Sequence, residues 1–514
     1  MNDVLDDLKK NRINNSVQNV LSGISLNIVV TIGPFILRTL MLRFMGSQFL
    51  GLNSVMVSTV AMLNMAELGL GTVIIYFIYE PAAKGEIERV NTYLTEIKKL
   101  YLYVAAIILL CGMIMLFIIP QIAGTELVEN TKVRYVYLLY LIATVTPYIL
   151  WPEAGVILNA FQKRNLQDWA SVITQMIMYC IQIYVICVIR SYYIYVLVVF
   201  VQGIALSFLQ HEMAKKRFPL LRCEGRLDQQ EKDMIKTKAI SMIGHQLDEK
   251  LINNIDTLFV SILLGLTMVS IYSNYIYVVT ALTMLTGVIY NAVLASVGNA
   301  IVVETIESNK IRFDCLFFLS SIIAGWSTLC MICMYQGFMK LWMPGLMLKD
   351  SVMILFCAFS YLLQIRKSIQ TFKNAAGMWE NDKFKPYVAM VADVVLNFLM
   401  IPKLGIAGAL LSSIICVAFI EIPWEIHVLR SNYFRMEIGR FLDRFIKYNL
   451  INFFLIFVIW MLINRYFKYD GIVNLMVRFL VCTLASIVFY IGIYWKNRDF
   501  IIWKETLCMM VKIQ

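Results

Sequence analysis

The sequence predicts an all-α polytopic membrane protein of about fourteen transmembrane helices, and three observations carry that prediction. The chain of 514 residues is 60% hydrophobic and only 15% charged, whereas soluble domains carry roughly 25% charged residues. Its apolar residues gather into runs long enough to cross a bilayer, for which a helix needs about 20 residues. Its Lys and Arg residues fall on alternate connecting segments, by roughly three to one when the N-terminus is placed in the cytoplasm.

In the first half the apolar segments are 17–40, 50–78, 100–119, 135–160, 169–189 and 192–213. A basic stretch, Ala214–Lys238, follows. The second half continues with 241–265, 267–300, 313–336, 350–371, 386–402, 404–428, 448–464 and 473–495. An even number of crossings leaves both termini cytoplasmic. The first sixteen residues are polar and lack an apolar core, so no secretory signal is expected and insertion begins with the first spanning helix. Pro34, Pro147, Pro152, Pro386 and Pro423 fall in the spans, where each removes a backbone donor and permits a kink. Gly405, Gly408 and Ala409 allow close helix approach.

The net charge of +11 is mostly a topology signal. The same positive side chains on 214–238 could also attract anionic lipid head groups. The expected organisation is an N-terminal six-helix bundle (1–213), a basic cytoplasmic linker (214–240), a C-terminal six-helix bundle (241–428), and two additional helices with a cytoplasmic tail (429–514). Phe49–Ser54 before the second helix and Met268–Ser273 before the eighth hint at a parallel duplication of the bundles around a central cavity.

The segment 241–265 is long enough to span but carries His245, Asp248, Glu249, Lys250, Asn253, Asn254 and Asp256. At about 100° per residue, His245, Glu249, Lys250, Asn253, Asn254, Asp256, Thr257 and Ser261 fall on one side of the helix. Leu247, Leu251, Ile255, Leu258, Phe259 and Ile262 fall on the other, interrupted only by Asp248. A charged residue near the bilayer centre costs about 2.5–3.5 kcal/mol, more than several apolar residues offset. This helix is therefore expected to line a water-filled cavity with other helices behind it.

The eleven Cys are scattered through apolar runs. Cys330 and Cys333 have metal-ligand spacing but no nearby His, and read as helix packing. His211, His245 and His427 are far apart, and no metalloprotease or phosphate-binding glycine motif is present.

Several patches bear a family resemblance: Leu37-Arg38-Thr39-Leu40, Leu50-Gly51-Leu52-Asn53, Ala66-Glu67-Leu68-Gly69-Leu70-Gly71, Tyr79-Glu80-Pro81, Asp256-Thr257-Leu258-Phe259, Tyr272-Ser273-Asn274-Tyr275, Ala295–Asn299, Ala376-Gly377, Lys385-Pro386 and Gly405–Gly408. Together, in order and at the expected spacing, they resemble the polysaccharide flippases of the multidrug/oligosaccharidyl-lipid/polysaccharide exporter superfamily. The resemblance implies a bacterial plasma-membrane flippase. It would move a polyprenyl-diphosphate-linked oligosaccharide to the outer leaflet by alternating access, for O-antigen, capsule or exopolysaccharide assembly. One departure stands out. Similar proteins have a Glu three residues after the helix-11 proline, where this chain has Ala389, and an Asn four residues later, where it has Asp393. That Glu is not carried over as a functional residue.

Such a substrate asks for cations toward the diphosphate and for amides, hydroxyls and aromatic faces toward the sugars. Lys250, Asn253, Asn254, Arg38 and Asn397 are the cavity candidates. Asp256, Glu249, Glu67 and Asp393 are the ion-coupling candidates, for H+ or Na+. Internal pairing (Lys250 with Glu249 or Asp256, Arg38 with Glu67) is the structural alternative for each. Tyr272, Tyr275 and Tyr277 are candidates for sugar stacking or for interfacial packing. Expected partners are the lipid-linked oligosaccharide, membrane lipids and a polysaccharide polymerase; no cofactor, metal or nucleic acid is expected. Two other functions fit less well: a multidrug or cation antiporter of the same superfamily, and a membrane-embedded glycan-assembly enzyme.

Overall fold

The computed structural model describes residues 12–64, 70–124, 130–378, 380–434, 438–466 and 471–496. Glu67 lies outside them. The side chains of Glu249, Lys250 and Asn253 also fall outside the described part, although their backbone is helical.

Helices make up the described chain, because a backbone crossing lipid has to satisfy its own hydrogen bonds. They are α1 (Arg12–Phe44), α2 (Ser47–Leu63), α3 (Leu70–Lys84), α4 (Ile87–Ala123), α5 (Asn130–Ile149), α6 (Pro152–Ala160), α7 (Arg164–Tyr184), α8 (Tyr192–Arg217), α9 (Gln229–Leu264) and α10 (Leu266–Val303). Then come α11 (Ile306–Trp342), α12 (Asp350–Ala375), α13 (Lys385–Leu404), α14 (Ile406–Ile415), α15 (Ile422–Leu429), α16 (Ile438–Tyr466) and α17 (Ile472–Tyr494). Among the described residues, 11 helices are long and apolar enough to span a membrane. The pair Lys132–Ile149 and Pro152–Ala160 passes the same test as one broken span, bent by 52°. Ser47–Leu63 and Asn254–Leu264 are shorter apolar helices. Eleven of the fourteen expected segments fall on a single helix each, while 50–78, 135–160 and 404–428 each run over more than one, and the protein is an all-α polytopic membrane protein.

The bend between α5 and α6 has a local cause. Trp151 takes a left-handed conformation, φ 49°, and Pro152 follows at the first turn of α6, where its missing N–H costs no helical bond. Gly408 illustrates close approach: a Cβ there would sit 2.5 Å from the Met400 carbonyl carbon, so only glycine lets α14 fold back on α13.

The chain forms two compact units, Met1–Ser270 and Ile271–Gln514. In the first, α1 pairs with α7, α4 with α5, and α8 lies against α5, α6 and α7. The long α9 packs on α2, α3 and α4. Its start is fixed by Asp228, whose carboxylate accepts from Glu231 N at 2.7 Å and so satisfies one of the free first-turn donors. In the second unit α11 is central, with α12 on one flank and α16 and α17 on others. α12 also packs against α14 and α15.

The last two helices are held to α11 by buried polar contacts. Asn452 Nδ2 donates to the Ser321 carbonyl at 2.9 Å, and Asn452 Oδ1 accepts from Tyr490 Oη at 2.9 Å. Arg478 Nη1 donates to the Cys333 carbonyl at 2.9 Å. In hydrocarbon a polar group needs such partners, so these contacts fix the register of both helices.

Candidate functional site

Asp393 and Asn397, four apart on α13, share a face and are fully buried. Asn397 Nδ2 donates to Asp393 Oδ2 at 3.0 Å. Across the tight return at Gly405, Ser412 Oγ of α14 donates to Asp393 Oδ1 at 2.7 Å and to the Asp393 carbonyl at 3.1 Å. The Cys416 thiol lies 3.9 Å from the same Oδ1. A carboxylate in apolar surroundings is costly unless hydrogen-bonded, and here both oxygens are engaged.

The described half of the polar face of α9 is packed in the first unit. Asp256, Thr257 and Ser261 are buried, and Asn254 is half-buried. Ser261 Oγ donates to the Ile122 carbonyl at 2.5 Å. That carbonyl is free because α4 ends at Ala123, leaving its last carbonyls without helical partners. At this end of α9 the polar stripe thus faces a neighbouring helix end where a water-filled cavity was expected.

Arg38, half-buried on α1, has Nη2 3.5 Å from Ser54 Oγ on α2. The neighbouring Asn53 accepts from Tyr140 Oη at 2.7 Å and Tyr192 Oη at 3.4 Å. Tyr192 and Tyr195 stack with centroids 5.7 Å apart. One end of the first unit therefore gathers a guanidinium, an amide and three phenols from α1, α2, α5 and α8. Tyr272 and Tyr275, by contrast, are buried in the second unit against Phe356. Tyr275 Oη donates to Gln336 Oε1 at 2.9 Å, and Tyr277 lies beside Trp342. Their roles are packing and hydrogen bonding within that unit.

Sequence reasoning missed the densest charge cluster. Arg366 and Lys373 of α12, Asp382 in the following turn, Lys385 of α13, and Glu421 and Glu425 around the start of α15 are each at most 4% exposed. Glu425 is their hub. It accepts from Arg366 Nη2 at 2.7 Å and Nε at 3.0 Å, from Lys385 Nζ, and lies 3.5 Å from Lys373 Nζ. Arg366 also pairs with Glu421, and Lys373 with Asp382. Three cations meet three anions, so the cluster is neutral, which is what permits its burial. A wide π-turn at Cys416–Glu421 and the missing N–H of Pro423 loosen the helix between α14 and α15. One signal could have found the cluster: two acids four apart, Glu421 and Glu425, inside an apolar segment.

Known folds and families give the context. The structure resembles "Lipid II flippase MurJ, inward closed conformation", with TM-score 0.67 and 14% identity, covering 94% of this chain and 100% of that one. It also resembles an inward-facing multidrug resistance MATE family transporter of the MOP superfamily, with TM-score 0.57 and 11% identity over 79% of this chain and 98% of that one. A eukaryotic MATE transporter gives TM-score 0.58 and 12% identity over 82% and 97% of the two chains. At these identities the likeness is one of fold. No curated protein sequence gives a significant match. The family model described as "Polysaccharide biosynthesis protein" matches residues 16–295. Covering more than half of the sequence, that match places the chain in the polysaccharide biosynthesis protein family.

Proposed function

We propose that the protein is a flippase that carries a polyprenyl-diphosphate-linked oligosaccharide repeat unit from the cytoplasmic to the outer leaflet of a bacterial plasma membrane. The repeat unit would feed surface polysaccharide such as O-antigen, capsule or exopolysaccharide. The observation that carries this reading is the conjunction of family and fold. A polysaccharide biosynthesis chain has the fold of a lipid II flippase over 94% of its length. The MATE likenesses cover 79% and 82% of the chain, which leaves the multidrug-antiporter reading with less of the molecule.

Alternating access would proceed between an N-terminal and a C-terminal bundle, with both termini cytoplasmic; α9, expected to open the second bundle, packs in the first unit. Lys250, Asn253, Asn254 and Arg38 would contact the diphosphate and sugars, and Asn397 would support them. Asp256, Glu249, Glu67 and Asp393 would bind the coupling H+ or Na+. Asp393 is the best supported of these, since its carboxylate is fully buried and accepts from Asn397 and Ser412. A polymerase would consume the translocated unit on the outer face.

Reconstitution tests the reading. Proteoliposomes holding the purified protein and a fluorescent short-chain prenyl-diphosphate oligosaccharide are assayed for loss of label accessibility on one face. Translocation above empty liposomes supports the reading; extrusion of cationic dyes without glycolipid movement supports the antiporter.

A further inference from the structure

Two guanidiniums share one aromatic ring where α1 ends in the first unit. Arg43 Cζ lies 6.0 Å from the centroid of the Phe44 ring, and Arg190 Cζ lies 5.6 Å from the same centroid. Packing of α1 along α7 and along the π-turn Val185–Ile189 that closes it brings Arg190 there. Arg190 is left-handed, φ 56°, and its backbone N–H donates to the Val185 carbonyl at 2.7 Å, so the turn fixes where this side chain starts. Arg43 sits in the last turn of α1 and Arg190 just after α7. The partial negative charge of a helix C-terminus therefore lies beside each and offsets part of their mutual repulsion.

Stacking on a ring engages the flat side of a guanidinium and leaves its N–H edge open to other partners. Both arginines are exposed, and among the described residues neither has a carboxylate within ion-pair distance. No Asp or Glu occurs between Gly33 and Asn53 or between Cys180 and Phe200. When the N-terminus is cytoplasmic this end of the unit is external, on the side where Lys and Arg are sparse. Two uncompensated cations there ask for an anion from outside the chain. Apolar surface runs up to them: Ile32 and Ile36 of α1 are exposed, and Arg43, seven residues after Ile36, continues their face. On α7 and its π-turn, Ile181 and Val188 are exposed just before Arg190. A phosphate carried on acyl chains has the matching form, with charge above an apolar body.

We propose that Arg43 and Arg190 bind the phosphate of an anionic phospholipid in the outer leaflet. Phe44 holds the two guanidiniums near each other, and their N–H edges donate charge-assisted hydrogen bonds to the phosphate oxygens. The acyl chains lie along Ile32, Ile36, Ile181 and Val188. The bound lipid bridges the outer ends of α1 and α7. Its placement in the outer leaflet rests on the flippase reading, through the cytoplasmic N-terminus; the pairing of the two arginines on one phosphate does not.

The test titrates full-length protein in detergent with phosphatidylglycerol and counts bound lipids by native mass spectrometry. The expected result is a dissociation constant for the first bound lipid that is roughly tenfold or more higher in the Arg43→Gln/Arg190→Gln double variant than in the wild type. The control pair Lys98→Gln/Lys99→Gln, two exposed cations of α4, is expected to leave that constant unchanged. Equal affinity in the double variant and the wild type overturns the proposal, and so does an equal loss in the control pair, which would mark a general charge effect. A parallel titration with farnesyl diphosphate separates the phospholipid from the carrier lipid: a loss confined to farnesyl diphosphate overturns the proposal. Arg43→Cys, labelled by an impermeant maleimide in right-side-out vesicles, supports the outer placement, and labelling in inverted vesicles alone overturns it. Lipid binding is read without transport, so its failure and a failure of glycolipid translocation are separate results.

Discussion

Arg366 grips Glu425 with two donors, Nε to Oε2 at 3.0 Å and Nη2 to Oε1 at 2.7 Å, while its third nitrogen pairs with Glu421. The planar fork of a guanidinium matches a carboxylate in this way, and a Lys could not replace it. The pair ties α12 to α15, and Lys385 extends the tie to α13. Three helices that apolar packing alone would let slide are thereby held in one register.

Breaking one side of that pair should be far worse than removing both. Glu425→Gln or Arg366→Met alone is expected to cost about 3–5 kcal/mol, because a buried charge loses its partner. The double variant removes one charge of each sign and leaves Lys373 and Lys385 opposite Asp382 and Glu421. It is expected to regain at least half of the loss. Thermal melting of detergent-solubilised protein, run as a double-mutant cycle, measures this. Equal and additive losses would mean that the two side chains do not act as a pair.

Asp393 separates structure from coupling. Asp393→Asn keeps the shape and can still accept from Ser412, so the fold should hold, with stability lowered by about 1 kcal/mol or less. The expected loss is in ion dependence: translocation in proteoliposomes should no longer respond to an imposed proton or sodium gradient. Ser412→Ala is the control, removing one donor while keeping the acid, and should retain the gradient response.

Arg38 lies at the rim of the Asn53, Tyr140 and Tyr192 network. Arg38→Ala is expected to slow translocation roughly tenfold through loss of a charge-assisted contact to phosphate. Arg38→Lys is expected to recover part of that rate. Glycolipid translocation in proteoliposomes and surface glycan staining of complemented cells provide the two readouts. Loss of protein from the membrane in Arg38→Ala would instead mark a purely structural role.

Cys223, in the stretch between α8 and α9, supplies a pH test. Burial, with the nearby Glu153 charge, pushes its thiol up to about 11 from an ordinary 9.0. The thiolate is the reacting form, so at pH 8 its fraction is about 100-fold below that of an unperturbed thiol. Maleimide labelling of Cys223 should therefore be slow at pH 8 and still be rising at pH 10. A cysteine placed at the exposed Glu224 should level off earlier. Labelling in inverted but not in right-side-out vesicles would also place this stretch in the cytoplasm.

Much of the fold was legible because hydropathy reports membrane spans directly. The broken span near Trp151 was visible in Pro147 and Pro152, and the meeting of Asp393 with Asn397 in their spacing of four. The charge cluster was hidden for a physical reason. Lys373, Asp382 and Lys385 bound a short polar stretch that reads as a solvated turn, and only tertiary packing shows that all three are buried. Their partners Glu421 and Glu425 lie some 40 residues on, a separation that no local pattern encodes. The register of α17 on α11 was equally hidden, since Arg478 and the Cys333 carbonyl it meets lie 145 residues apart. At Ser261 the polar face of α9 meets a helix terminus, whose free carbonyl sequence periodicity cannot foresee.

The central claim, transport of a lipid-linked glycan, is tested most directly by mass spectrometry of lipid extracts from cells lacking the gene, with and without a plasmid-borne copy. The account expects complete polyprenyl-diphosphate-linked repeat units to accumulate while surface polymer disappears, with both reversed by the wild-type gene and not by Lys250→Ala. Accumulation of an incomplete lipid-linked unit would contradict it and point to a step in glycan synthesis. An unchanged lipid and glycan profile would contradict it as well.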